Sequence, residues 1–469
     1  MTDPQQLSLL ISLIFIITIA LQRKVIFSIS TIGVFMISNL FLVLCGILMV
    51  PWFVDYLGTG IFFSGLAFDK ISDNEIMKTM ILSSGGIVLV LISYQFTQFI
   101  FSRGNFLLKN SNLLRFEFEV KSKISVKKIQ LFTASAVFVS LLLLLPQVPD
   151  ILKGFSSVLQ SDPAGIILAR SAVTSNYMLV ILIYNIIPFL VVGHWMVSLI
   201  HNKRWMKYMS YVYCFYSIFL LLMTFQKRPL ILFLLCLFIM TYWIRNSYKA
   251  KELLLRTRLN REQILNKVTS NKALILYGLI LFAIMIGLYF FMTTVGKNGE
   301  GFFNTIWTLT LITISRLLGR LSLPSIMYTH YFPYVEPHYG ITNIGLFSSM
   351  FDFDLYSDTP IVFEYFYGYE GSVASSAIFD FYGAFGIYGW LIGSILLGVT
   401  LNRLDAYLKR LPRSGESVLL IIFVFLTVFY FSQASIARSI MGYGGVFFVG
   451  SWLLLTIRII NRNGRGVKY

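Results

Sequence analysis

Charge is what this chain has least of. Only 13% of its 469 residues are Asp, Glu, Lys or Arg, and 57% are hydrophobic. A soluble protein of this length could not hide so much apolar surface, which makes the bilayer its solvent. Cysteine is nearly missing as well. Cys45, Cys214 and Cys236 all fall within apolar runs, which excludes an external disulfide framework, and no Cys/His spacing suggests zinc. Also missing are a Gly-rich phosphate loop, a Ser-His-Asp arrangement and a nucleic-acid motif. No internal repeat is visible, which argues against a transporter built from inverted repeats. The first apolar run, residues 7–21, lacks a basic leader and a small-residue cleavage site, so it reads as a retained helix. With no soluble module or low-complexity linker, residues 1–469 form a single integral membrane domain.

What the chain does have is a series of apolar runs. Spans are predicted at 6–22, 26–50, 77–101, 129–148, 176–200, 208–225, 229–244, 273–292, 376–400, 417–431 and 444–460. Each is about long enough to cross ~30 Å of hydrocarbon, although 229–244 and 417–431 are short. The expected fold is all-α and polytopic, with 11–12 transmembrane helices. Placing the N-terminus outside and the C-terminus inside puts 28 of the 38 Lys and Arg on the inner side, with 6 of the 21 acids. The opposite orientation would violate the positive-inside rule. The net charge of +17, which in a soluble protein would suggest a nucleic-acid partner, is therefore mostly a topology signal. The basic stretch 246–272 is expected to lie against anionic lipid headgroups. Residues 293–375 form the one large outer loop. Its start, FFNTIWTLTLITISRLLGR (302–320), is apolar enough to cross. Parity instead makes it an interfacial or re-entrant helix near the outer surface.

Ten basic residues remain outside, and every outer loop from 149 onward contains an arginine: Arg170, Arg228, Arg316, Arg320 and Arg438. Loops converging on a shared anion would produce this pattern, because guanidinium offers a planar fork that matches phosphate oxygens. Arg316 and Arg320, at i and i+4, project from one helix face about 6 Å apart, a spacing suited to a diphosphate. Arg228 stands out because it lies in a hairpin of minimal length, QKRP, where a solvated surface role is hard to arrange. The plainer reading is that outer arginines snorkel to headgroups or pair with the excess outer acids.

The long loop alternates Tyr, Phe and Gly with Asp and Glu, as carbohydrate recognition does: aromatic faces stack on sugar C–H surfaces while carboxylates bond the hydroxyls. Most of those aromatics serve equally to pack the loop on helix ends. Asp352 and Asp354 form a DFD triplet that resembles a metal site only weakly, and no metal or other cofactor is expected. His330 and His338 are eight residues apart and fit no usual metal pair.

The segment SSAIFDFYGAFGIYGWLIGSILLGV (375–399) resembles a late segment of bacterial O-antigen polymerases: a carboxylate, an aromatic-rich turn, an FG-x-x-G element and an apolar helix. Here these are Asp380, Tyr382, Phe385–Gly386 and Gly389. Many relatives carry Glu where this chain has Asp380, so the shorter acid acts at a different distance or only as a helix-start anchor. For the glycines, close helix packing is the plain physical reading. The arginine-to-glycine loop repeats of some family members are not matched, since no glycine follows Arg170 through 171–178.

The resemblance implies a multi-pass protein of the bacterial inner membrane with its active site facing the periplasm. Its substrates would be undecaprenyl-diphosphate-linked oligosaccharides, its surroundings membrane lipids, and a further partner a polysaccharide chain-length regulator. The acceptor hydroxyl would attack the anomeric carbon of the donor chain and release undecaprenyl diphosphate. Fixed arginines can stabilise that leaving group without a metal, and a carboxylate or histidine would take the acceptor proton. Candidates are Glu370, Asp380, Glu364, His330 and His338, with Glu370 first because it sits where the loop returns to the membrane. The competing functions are an O-antigen ligase or metal-dependent outer-face glycosyltransferase, a lipid-linked oligosaccharide flippase, and a membrane scaffold. The flippase would need polar groups along a midplane path, where only His194, Asn185 and a few Ser and Thr are found.

Overall fold

A segment that is apolar on every face can satisfy its backbone in lipid only by closing each hydrogen bond within itself, so long apolar runs become helices. The computed structural model describes residues 2–57, 71–101, 113, 122–160, 169–170, 173–224, 226–256, 280, 283–284, 287, 307, 310, 321–342, 354, 356–368, 371–373 and 375–457. All regular elements among the described residues are helices. They are α1 (Asp3–Ile26), α2 (Thr31–Asn39), α3 (Cys45–Leu57), α4 (Asp73–Phe101), α5 (Val126–Leu144), α6 (Val148–Gln160), α7 (Tyr177–Ile181) and α8 (Ile187–His201). There follow α9 (Arg204–Met223), α10 (Lys227–Arg256), α11 (Leu323–Tyr334), α12 (Asp358–Tyr367), α13 (Ala377–Arg410), α14 (Gly415–Tyr430), α15 (Ile436–Met441) and α16 (Gly445–Thr456). Turns of π-helix at Leu40–Leu44 and Leu182–Ile186 join α2 to α3 and α7 to α8.

Nine helical stretches among the described residues are long and apolar enough to cross a membrane, and α14 is a shorter apolar helix. The chain is an all-α polytopic membrane protein. The predicted span 273–292 and the helix expected at 302–320 lie outside the described residues, except at isolated positions. Two boundaries differ from the hydropathy reading for local reasons. The span expected at 229–244 is the apolar part of α10, which runs on to Arg256 through a basic tail. The span expected at 129–148 continues through a 3-10 turn at Leu145–Gln147 into α6, the turn falling where Pro146 removes a backbone donor.

Two large apolar cores form, beside a small third cluster of Leu408, Leu420, Ile421 and Phe425. One gathers α1 to α4 with α11 to α13; the other gathers α5 and α7 to α10 with α16, and α14 contributes to both. At the end of the bundle where the Lys- and Arg-rich segments gather, helix termini are closed by charges of the right sign. Buried Asp405 accepts from Thr31 N (2.9 Å) at the start of α2 and from the Tyr94 hydroxyl (2.8 Å). Buried Glu416 accepts from Ser122 Oγ (2.9 Å) and Ile124 N (2.8 Å) just before α5. Lys128 Nζ donates to the carbonyls of Leu455 (3.2 Å) and Ile457 (2.9 Å) at the end of α16. The opposite end carries the α9–α10 hairpin, the start of α4 and the residues after α14.

The span expected at 376–400 falls on α13, a stretch long and apolar enough to cross, and carries an internal break. α13 breaks at Phe385 (φ −134°, ψ 16°) and Gly386 (φ 65°, ψ −149°). The chain turns so sharply there that a Cβ on Gly389 would fall 2.4 Å from the Phe381 carbonyl oxygen, and one on Gly393 would fall 2.3 Å from the Phe381 ring. The FG-x-x-G element is therefore a bend. Gly386 takes a backbone conformation that side-chained residues avoid, and its second glycine leaves room for the segment folded back over it. Both sides of the bend pack on the N-terminal half of α4: Ile378 lies against Gly86, and Trp390 Nε1 donates to the Leu82 carbonyl (2.9 Å). Gly386→Ala meets both a positive φ and His338 Nε2 at 2.8 Å. It should cost about 1–3 kcal/mol, read as a lower unfolding temperature of the detergent-purified protein, whereas Gly450→Ala, which meets nothing within 4 Å, should not.

Candidate anion-binding site

Three of the five candidate arginines come together. Arg170, Arg228 and Arg438, from three separate segments, line one cavity of about 510 Å³ between α7, α10, α14 and α16. Its mouth is polar, with Thr174, Gln226 and Tyr443; its depth is apolar, with Leu232, Phe233, Phe423 and Phe448. Such a shape suits an anionic head carried on an apolar chain. The π-turn at Leu182–Ile186 adds one residue to the helix and brings Tyr184 and Asn185 to the wall. Asn185 Nδ2 donates to the Gly442 carbonyl (3.3 Å), fixing the loop between α15 and α16.

Each arginine is held differently. The Arg170 Nε and Nη2 groups donate to the Gln226 amide oxygen at 3.0 and 3.1 Å, with the amide turned so that its oxygen also accepts from the Tyr184 hydroxyl at 3.3 Å. Neither partner is charged, so the cation keeps its full charge. Arg228 lies over the Tyr430 ring, its Cζ 4.3 Å from the centroid, and Tyr430 stacks on Tyr443 with centroids 4.3 Å apart. Ring faces attract a guanidinium without consuming its N–H groups. Its Nε and Nη2 are buried and find no hydrogen-bond partner among the described residues. Buried charged donors are ordinarily satisfied, and a pair left open in an arginine-lined cavity marks where an anion would be held. Arg438 is different again: its Nη2 donates to Asp358 Oδ1 at 2.6 Å, and Asp358 is only 1% exposed.

Behind Arg438 lies a chain of buried polar groups. The Tyr328 hydroxyl donates to Asp358 Oδ2, and the Tyr339 hydroxyl donates to Asp380 Oδ1 at 2.9 Å. Burial first, and then the Asp358 carboxylate, push the Tyr328 hydroxyl well above its ordinary pKa. Tyr339 is pushed up likewise, by burial and then Asp380. Both phenols stay protonated and act as donors to the carboxylates. Asp380 is thus one turn inside α13, whose N-cap is Ser376. From this first-turn position at the start of α13 it accepts from the Tyr339 hydroxyl.

The histidines occupy separate places. His330 Nδ1 meets Glu75 Oε1 at 2.7 Å, both side chains being about 15% exposed, and its Nε2 lies 3.4 Å from the Tyr365 hydroxyl. Glu75 Oε2 in turn accepts from Ser72 N (2.7 Å) and Ser72 Oγ (3.0 Å), closing a capping box at the start of α4. His338 Nδ1 faces the Gly383 carbonyl at 3.1 Å, with its ring between Phe332 and Tyr382 and against Gly386. That packing makes it part of the bend. Glu364 is exposed on α12 and Asp354 is exposed; Glu370, Arg316, Arg320 and Asp352 lie outside the described residues.

Sequence reasoning did not single out Asp358, Gln226, Tyr430 or Glu75. Asp358 follows Ser357 and precedes Thr359–Pro360, which reads as an ordinary helix start. Nothing local ties it to an arginine 80 residues away.

The fold defines a multi-pass α-helical membrane protein with an arginine-lined, apolar-floored cavity at one end of its helices. No protein-family model, no curated protein and no solved structure matches the chain.

Proposed function

We propose that this protein polymerises lipid-linked oligosaccharide repeat units on the outer face of the bacterial inner membrane, as O-antigen polymerases do. The observation that carries the reading is the convergence of Arg170, Arg228 and Arg438 on one cavity with an apolar floor. A glycan on undecaprenyl diphosphate has both features the cavity is built for: a diphosphate for the guanidinium groups and a polyprenyl chain for the apolar depth. In the reaction, the acceptor hydroxyl bonds to the anomeric carbon as the anomeric carbon–diphosphate bond breaks. The arginines stabilise the charge developing on the diphosphate, where fixed cations shielded from water act most strongly.

The acceptor proton needs a base. His330, with Nδ1 held by Glu75, presents Nε2 in the orientation of a carboxylate-positioned imidazole. We assign it this role among the described residues, with Glu370 as the candidate from the rest of the loop.

The banding pattern of lipopolysaccharide from a deletion strain tests the function. Loss of a polymerase should leave core bearing one repeat unit. Bare core would instead indicate a ligase or a flippase and would overturn the proposal.

Orientation has its own test. In a variant lacking the three native cysteines, Asp354→Cys should react with an impermeant thiol reagent added from the periplasmic side, and Arg413→Cys should react only after the inner membrane is broken. The reverse pattern would turn the cavity to the cytoplasm, where such a donor is not polymerised.

A further inference from the structure

The three cavity arginines do not carry equal net charge. Arg170 is bonded to a neutral amide, and Arg228 to ring faces. Among the described residues, Arg438 alone of the three has a carboxylate on it, at 2.6 Å, and that carboxylate is buried. Asp358 is itself fixed from the far side by the Tyr328 hydroxyl. It also stands on the first turn of α12. A buried carboxylate held on both sides in this way is fixed immediately behind Arg438.

We propose that Asp358 is a positioning residue that limits how tightly the cavity holds its anion: it aims Arg438 at the cavity and cancels part of the positive charge there. This rests on the reading of the cavity as a diphosphate site and adds the regulation of that site. The physical need is turnover. The leaving diphosphate ends the reaction more highly charged than it began, and three uncompensated guanidinium groups would hold the product as firmly as the transition state. Binding both equally well gives no gain in rate, and slow release would then limit the cycle. A carboxylate one bond behind the wall lowers the affinity for every anion while leaving the fork of Arg438 in place.

The proposal predicts an effect opposite in sign to damage. Asp358→Asn can keep both neighbours, with Oδ1 toward Arg438 and Nδ2 toward the Tyr328 oxygen, while removing one negative charge. For charges ~7 Å apart near a protein surface that is worth about a tenfold change in affinity or more. The experiment uses the full chain in nanodiscs and inorganic pyrophosphate as the probe, followed by 31P NMR titration. Wild type should bind, Arg228→Ala should bind far more weakly, and Asp358→Asn should bind roughly tenfold more tightly. In lipid-linked substrate assays, Asp358→Asn should lower kcat and KM together and become more strongly inhibited by pyrophosphate. Asp358→Ala, which drops the aim as well as the charge, should not reproduce the tightening. Unchanged or weaker pyrophosphate binding by a well-folded Asp358→Asn would overturn the charge-limiting role while leaving the diphosphate site standing. Failure of the wild type to bind pyrophosphate at all would overturn both.

Discussion

Arg228→Ala should abolish long polymer while leaving the protein in the membrane at normal abundance. Of the three cavity arginines, Arg228 is the one whose Nε and Nη2 groups are both buried and unsatisfied, so it has the most to give to an incoming anion. Two hydrogen bonds between charged partners, at about 1.5–3 kcal/mol each, correspond to a loss of roughly 10²–10⁴ in rate if both act on the leaving group. The residue is also replaceable without much structural loss. Its main intramolecular contact is the face of Tyr430 at 4.3 Å, worth about 0.5–2 kcal/mol. Arg228→Lys should recover only part of the activity, because an ammonium keeps the charge and loses the fork. Arg170→Ala should cost less, since Arg170 is an exposed residue at the mouth, where water screens its charge. The assay is extension of a purified lipid-linked repeat unit, resolved as a ladder. Full-length ladders from Arg228→Ala at normal expression would sink the anion site and the polymerase reading with it.

The order of effects among these arginines follows from burial, and burial is the part of the site that sequence could not supply. That Arg228 would be drawn in among its neighbours was legible: a four-residue turn between two apolar runs leaves a charged side chain nowhere else to go. That Tyr430 and Tyr443 form the surface beneath it was not. They belong to two elements some 200 residues further on and look, in sequence, like interfacial aromatics. The helical class was legible throughout, because a membrane permits so few backbone solutions. The break in α13 was half legible: Phe385–Gly386 and Gly389 stood out as a motif, but an apolar helix can use glycines either to pack closely or to turn. Only the positive φ of Gly386 and the return of Phe381 onto Gly393 decide for the turn. Asp380 shows the same limit. Its position near a helix start was legible and is where it stands, but its bond to Tyr339, 41 residues earlier, was not. Asp358 was invisible for a simpler reason. Its partner comes from a different loop, and contacts between distant loops leave no periodicity to read.

His330→Gln should reduce turnover by about 10²–10⁴ with little change in pyrophosphate binding, separating the proton acceptor from the anion site. The assignment rests on geometry. Glu75 holds Nδ1 at 2.7 Å, so Nε2, 3.4 Å from the Tyr365 hydroxyl, is the nitrogen left to take the acceptor proton. Glu75 can do this reliably because its other oxygen is tied to Ser72 N and Oγ at the start of α4. Glu75→Gln is the informative companion. The amide can still accept the Nδ1 proton through its oxygen and keep the ring in place. It no longer stabilises the imidazolium that forms as the acceptor hydroxyl loses its proton. Its effect should therefore fall on kcat rather than KM, and should be smaller than that of His330→Gln. A merely structural pair would behave otherwise: both variants would lose thermal stability together, and kcat of the surviving protein would be unchanged. Glu370→Gln, measured alongside, decides between the two proton acceptors. A large loss there with full activity in His330→Gln would move the base to Glu370 and leave the Glu75–His330 pair as the clamp between α4 and α11.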